Sequence, residues 1–579
     1  RIMSALSQEI PSAELDAEVQ LLVRNKQKWA QTSIEVRIQI LAEIKDRLQQ
    51  VAEEWAKSAS SHKQIPQGSP LEGEDWISGP YTVMAACNGL MQTLKHMTGK
   101  EFLGDLPTRP VGEQQLAVRV LPHSVWDHLL LSGIKADIWM QPGVTAENLH
   151  QSAAGAYDVP ESQREGSVSL VLGAGNIAAI APLDCFQKLF TEHSVVLLKM
   201  NPVNDYLVDF LEPALKPLID IGALRIVRGG TEVGQYLCNH PDIDTIHITG
   251  AEASHDAIVW GSGPEGIENK RQGTPRNTRK ITSVLGAVCP TIVVPGPWTN
   301  ADIQYQAEQV ATQKLHNSGF NCVACQVLII PEAWDQRDDF LGTLKNVIAK
   351  APSRGLYYPG AEERLSEFER RQPGAENVME GASRSTRIFA QIPQSDSAEY
   401  AETSEVFAPA LGVTSVNGPD VEAYLRNAIA YCNERLHGTL GANIVVHPKT
   451  RRELGEKWES ILAELRYGCI GINAWTGLGF LAVQAPWGAF PGHTMDDIQS
   501  GIGFVHNTYM FDRVERTVIE APFRPFPRNL LHGSFTLLPK PPWFVTNKKA
   551  DVLGKLLTRF QHQPSFLKIP RIFLNALLG

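Results

Sequence analysis

Apolar residues in the first sixty positions recur at three- and four-residue intervals. Ile34, Ile38, Leu41, Ile44 and Leu48 fall on one face with charges between them, which predicts helix across Pro11 to Ala59 with Ser12 as its first cap. A Pro/Gly-rich break from Gln64 to Gly73 precedes a second helical stretch, Tyr81 to Met97, and a mostly extended section then runs to Trp139. From Ser167 the period changes. Short apolar runs (Val168 to Leu172, Val195 to Lys199, Leu224 to Val227, Thr245 to Ile248) alternate with helix-patterned stretches such as Pro182 to Phe190 and Asp205 to Leu215. Strands apolar on both faces, separated by helices, predict a parallel sheet covered on each side. In such sheets ligands sit at the carboxyl ends of the strands, where Asn176, Lys199, Gly229 and Thr249-Gly250 all fall.

The polar, basic segment from Trp260 to Lys280 reads as an exposed loop. Strands at Lys280 to Val288 and Thr291 to Val294 then lead to a helix, Asp302 to Leu315. That helix delivers Asn317-Ser318-Gly319-Phe320-Asn321-Cys322-Val323-Ala324-Cys325, followed by the apolar run Val327 to Ile330. Further helices are expected at Trp334 to Ala349 and Asp420 to Glu434, the stretch Pro359 to Asp396 is mixed, and a Gly-rich apolar section runs from Gly468 to Gly503. A cysteine reached through a glycine turn at the head of a buried strand is held rigidly, which suits a nucleophile. Core packing of a free cysteine is the plain alternative. Cys322 and Cys325 also form a C-x-x-C, but no second Cys or His pair stands at metal-ligand spacing, and the redox motif opens a helix after a strand instead of the reverse.

Composition narrows the class. The 579 residues are 43% hydrophobic and 20% charged with net charge -10, so two or three domains are expected and nothing points to nucleic acid. Eight irregularly placed cysteines suggest a reducing compartment and a cytoplasmic protein. Arg1-Ile2-Met3-Ser4 has no apolar stretch behind it and does not read as a signal peptide, with Arg1 and Ile2 read as appended residues. No apolar run is long enough to span a bilayer.

With these landmarks placed, the chain resembles the aldehyde dehydrogenase superfamily from about Glu14 to Phe523. The family's N-x-G-Q-x-C-x-A is met by Asn317, Gly319, Cys322 and Ala324, with Phe320 in place of Gln, and this selects Cys322 over Cys325. Asn176 resembles the family's asparagine turn, Lys199 its K-P-x-E strand end, Ile248-Thr249-Gly250 its F-T-G, and Glu405-Val406-Phe407-Ala408-Pro409 its E-x-F-G-P. Pro486-Trp487-Gly488-Ala489 and Ser500-Gly501-Ile502-Gly503 resemble the terminal P-F-G-G and S-G-x-G. The resemblance implies an α/β architecture: a Rossmann-like parallel-sheet dinucleotide domain (11–117 and 165–284), a second α/β catalytic domain (285–490), small bridging or oligomerisation segments (118–164 and 491–523) and a basic tail (524–579). It implies Cys322 as nucleophile and the Asn176 amide with the Cys322 N–H as oxyanion donors. Lys199, Gly230, Thr249, Gly250, Glu405 and Phe407 would bind NAD or NADP, no metal is implied, and a homo-oligomer acting on a small aldehyde or acyl substrate is expected.

Two departures change what the resemblance implies. The family's base glutamate in E-L-G-G is replaced by Val284, in Val284-Leu285-Gly286-Ala287, and valine accepts no proton. Transfer of the acyl group to coenzyme A or phosphate, or reduction of an activated acyl group, is therefore expected first. Hydrolysis with a relocated base and a silent nucleotide-binding protein are the alternatives. Asn201-Pro202 after Lys199-Met200 also lacks the glutamate that disfavours a 2'-phosphate, so NADP is permitted, with the basic residues Lys270 to Lys280 as its expected partner.

Beyond Phe523 the chain is rich in Pro, Phe, Lys and Arg. Pro541-Pro542-Trp543-Phe544 precedes two helix-like segments, Lys548 to Arg559 and Phe566 to Leu578. Packing over the active site or a neighbouring subunit is the first reading of this tail, and peripheral contact with an anionic membrane the second.

Overall fold

The computed structural model describes residues 10–379 and 387–579, so the reading of Arg1 to Ser4 and part of the mixed stretch lie outside the described residues. The amphipathic start forms two helices, Ser12–Ala30 and Ile34–His62, that bury Leu22, Leu41, Ile44 and Leu48. Ser12 is the first helical residue and not a cap. The side-chain cap falls instead to Ser33, which accepts the Val36 N–H at the head of the second helix.

Among the described residues, eighteen strands form two main sheets and a short ribbon. The first three are β1 (Thr108–Val111), β2 (Gln115–Leu121) and β3 (Lys135–Met140). Next come β4 (Val168–Leu172), β5 (Val195–Lys199), β6 (Leu224–Val227), β7 (Thr245–Gly250) and β8 (Lys280–Leu285). These five make a parallel sheet in the order β6-β5-β4-β7-β8, with Leu172 beside both Lys199 and Ile248 in register. Lys199 and Thr249-Gly250 thus share its carboxyl edge.

Between Leu285 and Cys289 the chain crosses to the other sheet. Its strands are β9 (Cys289–Val293), β10 (Cys325–Ile329), β11 (Glu376–Asn377), β12 (Ile388–Gln391), β13 (Ala410–Thr414), β14 (Gly441–Val445) and β15 (Cys469–Ile472). The ribbon pairs β16 (Pro486–Trp487) with β17 (Val505–His506), and β18 (Val514–Glu520) closes the series. β18 runs parallel to β15 on one side and antiparallel to β3 on the other. The hairpin β2–β3 is thereby built into the larger sheet, which reads β1-β2-β3-β18-β15-β14-β9-β10-β13-β12-β11.

The segment expected as an exposed loop after Trp260 is a helix, Gly263–Gln272. Its Gly and Pro, read as loop formers, serve the termini: Pro264 stands in the first turn, where its missing N–H costs nothing, and Gly273 caps the end at φ 68°. Three of the five basic residues from Lys270 to Lys280 are already engaged within the protein. Lys270 pairs with Asp256 at 2.8 Å, Arg271 with Glu268 at 2.6 Å, and Arg279 donates to the carbonyls of His240 and Ile243 at 2.8 Å.

The tail folds back on its own chain. Arg524 and Arg528 converge on buried Asp302, in the first turn of helix Asn300–Leu315, while Trp543 and Phe544 enter the core. Helix Ala550–His562 lies so close to helix Glu72–Trp76 that a Cβ on Gly73 would sit 2.3 Å from the Ala550 carbonyl carbon. Lys555 pairs with Glu53 and His562 with Asp46, and Lys568 donates to the carbonyls of Arg559 and Gln563. With these basic residues engaged internally, contact with an anionic membrane has no support. No helix among the described residues is long and apolar enough to cross a membrane.

Candidate active site

Helix Asn300–Leu315 ends in a turn that carries the candidate nucleophile. Asn317, Ser318 and Gly319 all take left-handed backbone angles (φ 52°, 56° and 79°), a costly conformation for residues other than glycine that surrounding contacts must hold. They do. The Asn317 N–H donates at 2.9 Å to Glu74, whose carboxylate pairs with Arg354 at 2.5 and 2.8 Å. Both charges are buried, Glu74 to 5% and Arg354 to 7% exposure. Burial alone would raise the Glu74 carboxyl, but Arg354, His316 and the Asn317 N–H outweigh it and hold the group at about 2.

The carbonyls around Cys322 are pinned one after another. Phe320 O accepts the side-chain amides of Asn176 and Asn317 at 3.0 Å each, Cys322 O accepts the Cys289 thiol at 3.4 Å, and Val323 O accepts the Trp475 indole at 2.9 Å. With its carbonyl turned away, Cys322 faces a cavity of about 60 Å³ that Asn176, Thr249 and Val284 also line. Among the described residues the Cys322 N–H bonds no other residue. Asn176 Nδ2 has a second hydrogen beyond the one given to Phe320, so two donors stand at the sulfur's cavity. Burial, with Glu405 adding to it, pushes the Cys322 thiol well above its ordinary range. Cys325 is fully buried, receives the Thr291 hydroxyl at 3.2 Å and lines no part of this cavity.

Phe320, in the position of the family's glutamine, is fully buried against Tyr357, Tyr358 and Phe407, with ring centroids 5.0 to 5.8 Å apart. Val284 is buried in the cavity wall with no proton acceptor of its own. A carboxylate that the sequence reading did not single out shares that wall. Asp184, on helix Ile180–Phe186, is fully buried; its Oδ2 accepts the Thr249 hydroxyl at 2.7 Å and lies 3.4 Å from His247 Nε2, while Oδ1 has no partner. His506 lines the same cavity with both ring nitrogens unpartnered, and burial holds it down at about 4, hence neutral. The only sequence signal was an acidic residue on an otherwise apolar helix.

The residues expected to hold a dinucleotide fit one. Lys199 is half-buried at the end of β5 with no hydrogen bond or ion pair among the described residues, and burial lowers its ammonium. Gly230 opens helix Thr231–Cys238, and a Cβ there would meet nothing within 4 Å. Gly250 ends β7, three strands from β6 in the same sheet. Glu405 Oε1 is buried without a partner, and a Cβ on Gly286 would stand 2.0 Å from Glu405 Oε2, so only glycine lets the carboxyl lie across that turn. Burial raises Glu405 to about 8 against the pull of Lys314, Arg364 and His437. Phe407 takes φ 43° and turns its ring onto Phe320.

A profile described as the aldehyde dehydrogenase family matches residues 203–354. A D-glyceraldehyde dehydrogenase (NADP(+)) of Thermoplasma acidophilum is 24% identical over 255 residues, which are 41% of this chain and 48% of that protein. The chain thus spans about half the length of this curated relative. Aldehyde dehydrogenase C of Pseudomonas syringae, solved with NAD+ and octanal, aligns with a TM-score of 0.58 at 16% identity over 89% of this chain and 90% of its own. An NADP-dependent glyceraldehyde-3-phosphate dehydrogenase of Bacillus halodurans, solved with NADP, aligns at 0.57 and 17% identity over 88% and 91%. These overlaps give the chain the fold of aldehyde dehydrogenases over 88–89% of its length, with the family's own profile matching residues 203–354.

Proposed function

We propose that the protein is an NAD(P)-linked oxidoreductase that takes an aldehyde to the acyl level through a thioester on Cys322. The observation that carries this reading is that Cys322, whose N–H bonds no other residue among those described, and Asn176 line one cavity. Cys322 gives its proton to solvent and its sulfur bonds to the carbonyl carbon, and the oxygen that gains the electron pair is received by the Cys322 N–H and the Asn176 amide. One such donor is typically worth about 2.7–4 kcal/mol of barrier. A bound nicotinamide dinucleotide supplies the acceptor for the hydride leaving that carbon. Lys199 and Glu405 would hold its riboses, Gly230 and Thr249-Gly250 would line its phosphates and nicotinamide, and Phe407 would back the site. Both NAD and NADP suit these residues.

The fate of the acyl group follows from Val284. With no carboxylate at that position, water attacks the thioester slowly, and transfer to coenzyme A, phosphate or a similar acceptor is the first reading. Asp184 favours a second, in which a carboxylate elsewhere in the same wall draws the proton from water. A silent nucleotide-binding protein is the third reading. Self-association is proposed through β1, whose outer edge is unpaired among the described residues.

Intact-mass analysis after mixing with aldehyde and NAD(P)+, or with an acyl-CoA alone, tests the reading. An adduct on Cys322 released by coenzyme A or phosphate supports transfer, and fast release by water supports hydrolysis. No adduct under either condition refutes the thioester chemistry.

A further inference from the structure

Next to the sulfur's cavity lies a second, larger chamber of about 450 Å³, within the range of about 300–1,000 Å³ that accommodates small-molecule ligands. Ile77, Leu481 and Trp543 line both spaces, so the two adjoin across those three side chains. One wall of the chamber comes from the body of the protein, including Tyr81, Leu121 and Trp126. The other comes from the tail: Leu557 and Phe560 of helix Ala550–His562, and Ile572 and Ala576 of helix Ile569–Leu577.

The charged groups at this wall are already satisfied. Asp127 accepts the N–H groups of His123 and Ser124 at 2.9 and 3.0 Å, and Lys540 lies 3.8 Å from Glu308. Asn88 gives its amide to Gln561 at 2.8 and 2.9 Å. A ligand here therefore meets mainly aliphatic and aromatic surface, with the unpartnered Thr508 hydroxyl set in it, and no unpaired carboxylate or ammonium. Trp126 also packs on Phe566, centroids 4.5 Å apart, and Phe566 is 62% exposed, so apolar surface continues from the chamber to the outside.

We propose that this tail-built chamber holds the aliphatic chain of a long-chain aldehyde, with Ile77, Leu481 and Trp543 forming the passage along which its carbonyl reaches Cys322. The inference rests on the thioester reading above and adds the substrate class. The tail would then be a specificity element: a short aldehyde fills only the small cavity, while each methylene that enters the chamber leaves water for apolar wall.

Three measurements on the full chain test this. First, kcat/KM is measured for butanal, octanal, dodecanal and tetradecanal. It should rise about two- to fourfold per added methylene, as burial of a methylene implies, until the chamber is full. Second, Leu557→Trp and Ala576→Trp each place an indole in the chamber and should lower the ratio of kcat/KM for dodecanal to that for butanal by about tenfold. Third, cis-parinaric acid, a fluorescent fatty acid, should bind the wild type and be displaced by dodecanoate, and should bind the two variants more weakly. A flat chain-length series, or variants that bind parinaric acid as the wild type does, would overturn the proposal. Parinaric acid bound in the chamber while no aldehyde of any length marks Cys322 would uphold the chamber as an apolar-chain site and refute the thioester reading.

Discussion

The left-handed turn before Cys322 is braced by a buried ion pair, so Glu74→Gln is a sharp perturbation. The substitution keeps the shape of the side chain but removes the charge facing Arg354, and it weakens the acceptor of the Asn317 N–H. Glu74 lies at about 2 against 4.5 for an ordinary glutamate. At about 1.4 kcal/mol per pH unit, that difference corresponds to about 3 kcal/mol at neutral pH. This matches the about 3–5 kcal/mol typically lost when a buried pair is left with one partner. For a chain of 579 residues unfolding as a whole, the thermal midpoint should fall by about 3 °C. The sign with pH follows from a depressed carboxyl. Its contribution is fully present above the unfolded value near 4.5 and is lost as pH falls toward 2, where the wild type carries the same neutral group as the variant. The assay is the thermal midpoint of both proteins from neutral pH downward, with the rate of Cys322 alkylation as a local readout of the turn. The midpoint gap should narrow below pH 4.5. A gap that stays constant with pH, or is absent at pH 7, refutes the electrostatic account of the turn.

Cys322→Ser should abolish the acyl adduct seen by intact mass, whereas Cys325→Ser should retain it, because Cys325 is buried outside the cavity. Alkylation of Cys322 should accelerate with pH without a plateau below pH 9, since burial pushes the thiol up. Val284→Glu places a carboxylate in the wall facing the sulfur and should speed hydrolysis of the acyl-enzyme by about 10²–10⁴-fold, with Val284→Gln giving no such gain. Where water is the acceptor, Asp184→Asn should slow release of the adduct by a similar factor and flatten the pH profile of release. An unchanged release rate and profile would make Asp184 a structural carboxylate for Thr249 and His247.

Much of the fold was legible because its signals are local. The run Val168 to Leu172 is apolar at every residue but Ser169 and is followed by Gly173-Ala174-Gly175, and it forms an interior strand of a parallel sheet. The turn that carries Cys322 and the buried strand after it were legible for the same reason. The segment Gly263–Gln272 was misread because Pro and Gly mark loops and helix ends alike, and only the position of each along the turn decides which. Asp184 was missed because a carboxylate is interpreted through its partners. Thr249 and His247 lie more than sixty positions away, on β7. The tail's helices were visible in the sequence, but not the wall they complete, because a chamber depends on which apolar face meets which.

The position of β18 also sets the order in which this chain can be built. Met140 of β3 pairs with Val514 of β18, about 370 residues later, and among the described residues β18 is the strand that joins the hairpin β2–β3 to the rest of the large sheet. At about 5–20 residues per second, a ribosome takes about 20–75 s to cover that interval. Throughout it the hairpin carries an open strand edge bearing Ile138 and Met140, the kind of edge on which chains aggregate. Chains arrested before Val514 should therefore hold chaperones through β3, and those released after Glu520 should let them go.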